Sequence, residues 1–231
     1  MFSIVIPVYN EEKLLEANLA RLSRYLQGKD YEVIIANNGS TDRTLEIAGR
    51  LAGKDSRVKV VSVDKKAPGL AFRNAVKIAK GDTIISQDMD LSTDLGFIDT
   101  ALGLMKDYDV VIGSKKLGRQ ERSFFRKLPS SVFIFLTKTL LGMDYEDYSM
   151  AAKAYKRDLV MKHLDNLDNG TSYVIELIYF AKQSNKKIID IPVNCLDKRK
   201  SKFNIAKESI YRFKRLVRLF LIRMALIIKK S

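Results

Sequence analysis

Residues 69–92 read GLAFRNAVKIAKGDTIISQDMDLS. In the first half apolar residues recur three or four apart, the spacing of an amphipathic helix, and Gly81 closes the run. The β-branched "DTIIS" (82–86) follows as a short buried strand. Charge then appears abruptly, as Asp88 and Asp90 with only Met89 between them. Outward from this unit the same alternation continues. "SIVIP" (3–7), "YEVIIA" (31–36), "RVKVVSV" (57–63) and "DVVIG" (109–113) read as strands, with "NEEKLLEANLARLSRYL" and "TDRTLEIAGRLAG" as helices between them. Gly53 and Gly81 stand where C-terminal caps are expected. The βαβ rhythm predicts an α/β fold with a mostly parallel sheet covered by helices. Ligands of such sheets gather outside the carboxyl ends of the strands, where Pro7, Tyr9, Asn38, Gly39, Ser40, Asp88 and Asp90 all fall.

At 231 residues and 46% apolar, the chain can bury one generous core, which favours one folded unit over two. The single cysteine, Cys195, excludes an internal disulfide framework and suits a reducing compartment. The opening "MFSIVIPVYNEE" has no basic leader followed by a long apolar run, so a cytoplasmic location is expected.

Net charge is +14, and it is unevenly spread. From Lys182 onward fifteen Lys or Arg face Asp190, Asp197 and Glu208, leaving about +2 for the preceding 181 residues. A concentrated basic tail suits phosphate, on a nucleic acid or an anionic membrane. No helix-turn-helix, zinc or aromatic-platform pattern accompanies it, so no nucleic-acid partner is expected.

The second half is less regular. "PSSVFIFLTKTLLG" follows a basic segment with Arg119, Arg122, Arg126 and Lys127; then come "DYSMAAKAYK", a helix-like "TSYVIELIYFAKQ" and a strand-like "KIIDIPV". The partition is a domain over 1–203 and a basic amphipathic helix over 204–231. At 100° per residue, Ile210, Phe213, Leu216, Val217, Phe220, Leu221, Met224, Ile227 and Ile228 share one arc. Lys207, Arg212, Lys214, Arg215, Arg218, Arg223, Lys229 and Lys230 occupy the opposite half. No run reaches the ~18 apolar residues of a spanning helix. Such a helix either lies in lipid headgroups or covers the protein's own core.

Residues two apart in an extended segment face the same way, so Asp88 and Asp90 can aim at one point. Adjacent anions repel unless a cation sits between them, and Mg²⁺ or Mn²⁺ takes carboxylate oxygens together with substrate phosphates. Taken alone, the pair is equally compatible with two solvated acids at a loop start, Tyr9 with a half-buried aromatic, and Asn38-Gly39 with a simple turn.

Four pieces in order, "IVIPVYNEE", "IIANNGSTDRT", "GLAFRNAVKIAKGD" and "SQDMDLS", resemble the signature of family 2 glycosyltransferases with the GT-A (Rossmann-like) fold over about the first 115 residues. The resemblance implies that Pro7, Tyr9 and Glu11 line the nucleotide's base and ribose, and that Asn38, Gly39 and Ser40 form the D-G-S-like turn beside it. It implies that Asp88 and Asp90 hold the metal, Mg²⁺ or Mn²⁺, and the sugar nucleotide. Asn37 and Asn38 depart from it, being amides where acids are usual.

Later blocks, "VVIGSKKLG", "DYSMAAKAY", "SYVIELIYFAKQSNKKIIDIPV" and "DKRKSKF", resemble the polyprenyl-phosphate sugar synthases of the dolichyl-phosphate mannose synthase group. That resemblance implies inverting transfer of a hexose from a GDP- or UDP-sugar to a polyprenyl or dolichyl monophosphate at a membrane face. Lys115 or Lys116, Lys153, and Arg199 with Ser201 and Lys202 then contact phosphate, with Lys153 and Arg199 also in the catalytic set. Ala151 and Ala152 stand where Gly and Phe are usual. Cations are wanted there because two anionic substrates repel, although any one lysine also reads as ordinary surface charge. An ionised acceptor phosphate needs no general base. His163 and Cys195 carry no nucleophile constellation, and Glu176 suits either a site residue or a buried helix–helix hydrogen bond. The alternatives are transfer to a glycan or glycolipid hydroxyl, and a catalytically idle nucleotide-binding relative.

Overall fold

The computed structural model describes residues 1–118, 124–195 and 205–228. Strand β1 (Phe2–Val8) and helix α1 (Leu15–Tyr25) are followed by β2 (Tyr31–Asn38), α2 (Thr44–Lys54), β3 (Val58–Val63), α3 (Pro68–Ile78), β4 (Thr83–Ser86), α4 (Gly96–Leu104) and β5 (Val110–Ser114). Helix α5 (Phe124–Leu141), β6 (Lys153–Lys156), α6 (Arg157–His163), α7 (Tyr173–Gln183), β7 (Ile188–Pro192) and α8 (Ile205–Ile228) complete the chain. The seven strands form one sheet in the order β3-β2-β1-β4-β6-β5-β7. All pairings are parallel except those of β6, which runs antiparallel between β4 and β5.

Strand alternation divides the core. On β1, Phe2, Ile4, Ile6 and Val8 face a cluster with Leu15, Leu19 and Leu22 of α1 and Phe97 and Ile98 of α4. Val5 faces the other side, with Phe72 and Val76 of α3, Leu177 and Ile178 of α7, and Leu216 and Leu219 of α8. A sheet buried on both faces explains why its strands read as nearly unbroken apolar runs.

Strand β6 is an addition to the pattern read from the sequence. "KAYK" is too short and too basic to announce a strand, and it pairs only because β4 and β5 leave a gap between them. The glycine caps are a correction. Gly53 lies inside α2, and Gly81 is not among the glycines with positive φ. A Cβ on Gly81 would lie 2.5 Å from the backbone of Phe2, so glycine there permits close approach of the turn to β1. His163 packs its ring on Phe180 at 5.0 Å, a packing role.

Helix α8 joins the body through one side. Leu216 and Leu219 are buried, and Arg223 Nη1 donates to the Leu140 carbonyl of α5 at 2.7 Å. Arg215 is paired with Glu176 of α7 and lies 3.7 Å from Asp168, while Tyr211 Oη donates to Asp168. Glu176, its acidity weakened by burial, also accepts the Asp168 N–H. It therefore makes the helix–helix bond. On the helical wheel Arg212, Arg215 and Arg223 keep the half opposite the apolar arc, and it is this half, with Leu216 at the arc's edge, that faces the body. Leu216 turns inward, and the three arginines take protein partners. Removing the Arg215 guanidinium leaves Glu176 and Asp168 without their cation. Arg215→Ala is therefore expected to lower unfolding stability by roughly 3 kcal/mol, read by urea denaturation.

Candidate active site

The carboxyl ends of β1, β2 and β4 come together because the three strands are parallel neighbours, with Val8 level with Asn37 and Val5 with Ser86. The loops leaving β1 and β2 are stitched together. The Asn10 N–H donates to Ser40 Oγ (3.0 Å), the Thr41 N–H to Asn10 Oδ1 (2.8 Å), and the Glu11 N–H to Thr44 Oγ1 (2.7 Å). Asn10 takes a left-handed φ of 54° to do so, which asparagine tolerates.

Asn37 and Asn38 belong to β2 rather than to a turn, and both are buried. Asn37 donates from Nδ2 to Ser62 Oγ (2.9 Å) and accepts the Ser40 N–H (3.3 Å). Asn38 Oδ1 accepts the Ala67 N–H. Gly39 makes the turn at φ 67°, pressed so closely on the loop after β3 that a Cβ would come within 2.6 Å of the Lys65 carbonyl carbon. That loop carries Lys66, whose ammonium lies 4.3 Å from the centre of the Tyr9 ring, a cation–π contact. Pro7, Tyr9, Glu11, Gly39 and Ser40 are all half-buried around this cleft. Lys66 was missed in the sequence, where "DKKAP" showed only two basic residues between a strand and a helix.

Asp88 and Asp90 follow β4 in a turn, where an extended segment was expected. The Leu91 N–H donates to the Asp88 carbonyl (3.1 Å), the Ser92 N–H donates to Asp90 Oδ1 (3.0 Å), and Leu91 has φ 48°. Met89 is buried in the core, and α1 holds its carbonyl through Asn18 Nδ2 at 2.9 Å. Asp88 and Asp90 are both half-buried residues. Burial first, and the Asp90 charge second, push Asp88 up to about 6, against the pull of Lys115, the Ala151 N–H and Lys153. Two neighbouring hard oxygen donors of like charge are a fitting pair for a divalent cation, which lifts the repulsion and takes its remaining ligands from phosphate and water. Among the described residues no group of three or more His, Cys, Asp or Glu could hold an ion. Two carboxylates leave most of a divalent cation's coordination open, which suits a metal that shares its ligands with a phosphate-bearing substrate.

Behind this turn lies a buried charge cluster centred on Asp147, in the loop before β6. Lys115 Nζ donates to Ser149 Oγ (3.2 Å) and stands 3.5 Å from Asp147 Oδ2. Lys153 Nζ donates to the carbonyls of Met150 (2.9 Å) and Gly113 (3.4 Å) and stands 3.8 Å from Asp147 Oδ1. Asp147 accepts the Ser149 and Met150 N–H groups. Burial opposes its charge, yet Lys153, Lys115 and those N–H groups together hold it down at about 2. Asp147 was also missed in the sequence. Its signal was an acid opening the otherwise uncharged run "DYSMAA".

Lys153 does not sit as a phosphate contact should. It is wholly enclosed, and burial lowers its basicity against the support of Asp147. Its ammonium serves two carbonyls and a carboxylate of the protein. Lys116 is half-exposed and paired with Glu146, which Lys138 also engages. Of the expected acceptor cations, Lys115 and Lys153 both act on the Asp88 charge, Lys115 the more strongly. Arg199, Ser201 and Lys202 lie outside the described residues.

Comparison with known proteins agrees with this geometry. The family model for Glycosyl transferase family 2 matches residues 3–164. Glycosyltransferase AglD of Haloferax volcanii is 29% identical over 216 residues, covering 89% of this chain and 35% of that protein. An undecaprenyl-phosphate 4-deoxy-4-formamido-L-arabinose transferase of Aeromonas hydrophila is 31% identical over 189 residues, 80% of this chain and 57% of that protein. The chain thus spans between about a third and somewhat over half of the length of these relatives. In fold it is similar to glucosyl-3-phosphoglycerate synthase from Mycobacterium tuberculosis, solved with Mn²⁺, UDP and phosphoglyceric acid. The TM-score is 0.70 at 20% identity, over 96% of this chain and 78% of that one. With a family model covering most of its length, a GT-A sheet, and paired carboxylates at the end of β4, the chain belongs to glycosyl transferase family 2.

Proposed function

We propose that this glycosyltransferase moves a hexose from a GDP- or UDP-sugar to a polyprenyl or dolichyl monophosphate, with inversion, at the cytoplasmic face of a membrane. The observation that carries the reading is the Asp88–Asp90 turn backed by the Lys115–Asp147–Lys153 cluster. Its acids suit a metal-bound diphosphate, and its lysines bring positive charge to where a second phosphate must approach. Similarity to an undecaprenyl-phosphate sugar transferase supports a lipid phosphate acceptor.

In this reading the cleft between Tyr9, Asn38 and Gly39 receives the nucleotide. Asp88 and Asp90 hold Mg²⁺ or Mn²⁺, which would offset charge on the departing diphosphate. Lys115 screens the acceptor phosphate from the donor's phosphates, and Arg199, Ser201 and Lys202 add to that screen. Lys153 acts at one remove, fixing Asp147 and the backbone that carries Ala151 against Asp88. The acidity of Asp147 also bears on the acceptor. Held at about 2, it is a poor general base. A hydroxyl acceptor needs such a base, and a phosphate already ionised does not.

The test is a donor screen. Protein is incubated with radiolabelled GDP- and UDP-sugars, Mn²⁺ or Mg²⁺, and undecaprenyl or dolichyl phosphate, and label is counted in the organic phase. Lipid-extractable label from one donor is expected. Label appearing only on a soluble glycan would overturn the acceptor, and nucleotide binding with no turnover would overturn the catalytic role.

A further inference from the structure

Among the described residues, one face of α8 is left uncovered. Ile210, Phe213, Val217, Leu221, Met224 and Ile228 recur three or four apart and are all exposed, Leu221 at 61% and Ile228 at 70%. At 1.5 Å per residue they form an apolar strip about 27 Å long. Lys207, Lys214 and Arg218 stand exposed along one edge of it. Val132 and Phe135 are exposed on α5, the helix to which Arg223 ties α8. No helix among the described residues is long and apolar enough to cross a membrane.

We infer that this strip is a preformed docking surface for an anionic lipid bilayer, seated in the headgroups as a rigid keel. The inference deepens the proposed reaction, and rests on it in taking the acceptor to be a membrane lipid. The edge charges select the occupant. A second copy on this face would set Lys214 and Arg218 against their own counterparts. The one acid of α8, Glu208, is already engaged by Arg212 and Thr171. Anionic headgroups complement the basic edge while acyl chains receive the apolar strip. The keel is rigid because the opposite side of the helix is committed to the body. Leu216 and Leu219 are buried, Arg215 is paired with Glu176, and Arg223 is bonded to the Leu140 carbonyl. An interfacial helix that folds on lipid gains helicity there. This one is already folded and gains none.

The test is flotation of the purified protein with vesicles of phosphatidylcholine alone, or with roughly a third phosphatidylglycerol. It is accompanied by circular dichroism, sedimentation velocity, and transfer to a short-chain, water-soluble prenyl phosphate. Binding to the anionic vesicles is expected to exceed that to neutral ones about tenfold, to fall in high salt, and to drop about tenfold in Leu221→Asp and in the Lys214→Glu/Arg218→Glu double variant. Helicity should not change on binding. Equal binding of wild type and both variants, or none by wild type, overturns the docking surface. A gain in helicity overturns its rigidity. Self-association lost in Leu221→Asp, without vesicle binding, assigns the strip to a second copy. If vesicles are bound and no prenyl phosphate is glycosylated with any donor, the proposed reaction fails while the docking surface stands. Retained soluble-acceptor transfer in Leu221→Asp shows that the variant remains folded.

Discussion

Asp88→Asn protein is expected to fold, to be more stable than wild type above pH 6 when metal-free, and to transfer sugar about a thousandfold more slowly. The opposite signs have one cause. Burial and the neighbouring Asp90 raise Asp88 from an ordinary carboxylate value to about 6. A carboxyl whose folded-state pKa lies above its unfolded value costs stability, completely above pH 6 and not at all below about pH 4. Replacing it with an amide removes that cost, on the order of 1–3 kcal/mol, while exchanging one of the two anionic oxygen donors for a weaker, neutral one. Thermal melts of metal-free protein at pH 8 and pH 4 check the first part, with the gain expected at pH 8 only. Mn²⁺ added with nucleotide should raise the melting temperature of wild type and leave the variant unmoved, since a ligand stabilises only the state it binds. Full transfer by a folded Asp88→Asn or Asp90→Ala protein would remove the metal from the account of the reaction.

Asp147→Ala is expected to have the largest effect on stability, about 3–5 kcal/mol, because it strands a lysine inside the protein. Lys153 is wholly buried, and with its nearest carboxylate gone two carbonyls and the farther charges of Asp190 and Asp88 are left to offset the ammonium. Lys115 loses the same partner. The Asp147→Leu/Lys115→Met/Lys153→Met triple variant separates charge from packing, since it removes the carboxylate together with both lysines that face it. It should recover most of the loss in urea denaturation, because a buried ion pair is commonly worth little more than well-packed apolar groups of similar volume. Transfer should remain impaired, since the cluster also sets the electrostatic surroundings of Asp88. A single variant as stable as wild type would show that water reaches Lys153 and that the cluster is open.

Most of the sheet could be read along the chain. The runs at 3–7, 31–36, 57–63, 82–86 and 109–113 appear as β1 to β5 within a residue or two at each end. Each strand is apolar for a local reason, burial between two layers of helices. The exit of β4 was legible too. The charge pair does stand at the carboxyl end of a buried strand, although the backbone there turns rather than extends. The helical wheel of α8 was half legible. It separated apolar from basic residues, but could not tell which arginines meet carboxylates, because Glu176 lies 39 residues from Arg215.

Periodicity and the order of motifs along the chain were therefore enough for the α/β class, the parallel order of the first strands, and the place of Asp88 and Asp90. These depend on contacts between near neighbours, or on a rule of handedness that all such sheets share. Folding was needed to insert β6 antiparallel, to bring Asp147 between Lys115 and Lys153, and to divide α8 between body and surface. Those outcomes depend on which charges find one another across long separations. A single charged residue carries the same letter whether it ends in solvent, on a phosphate or inside an ion pair.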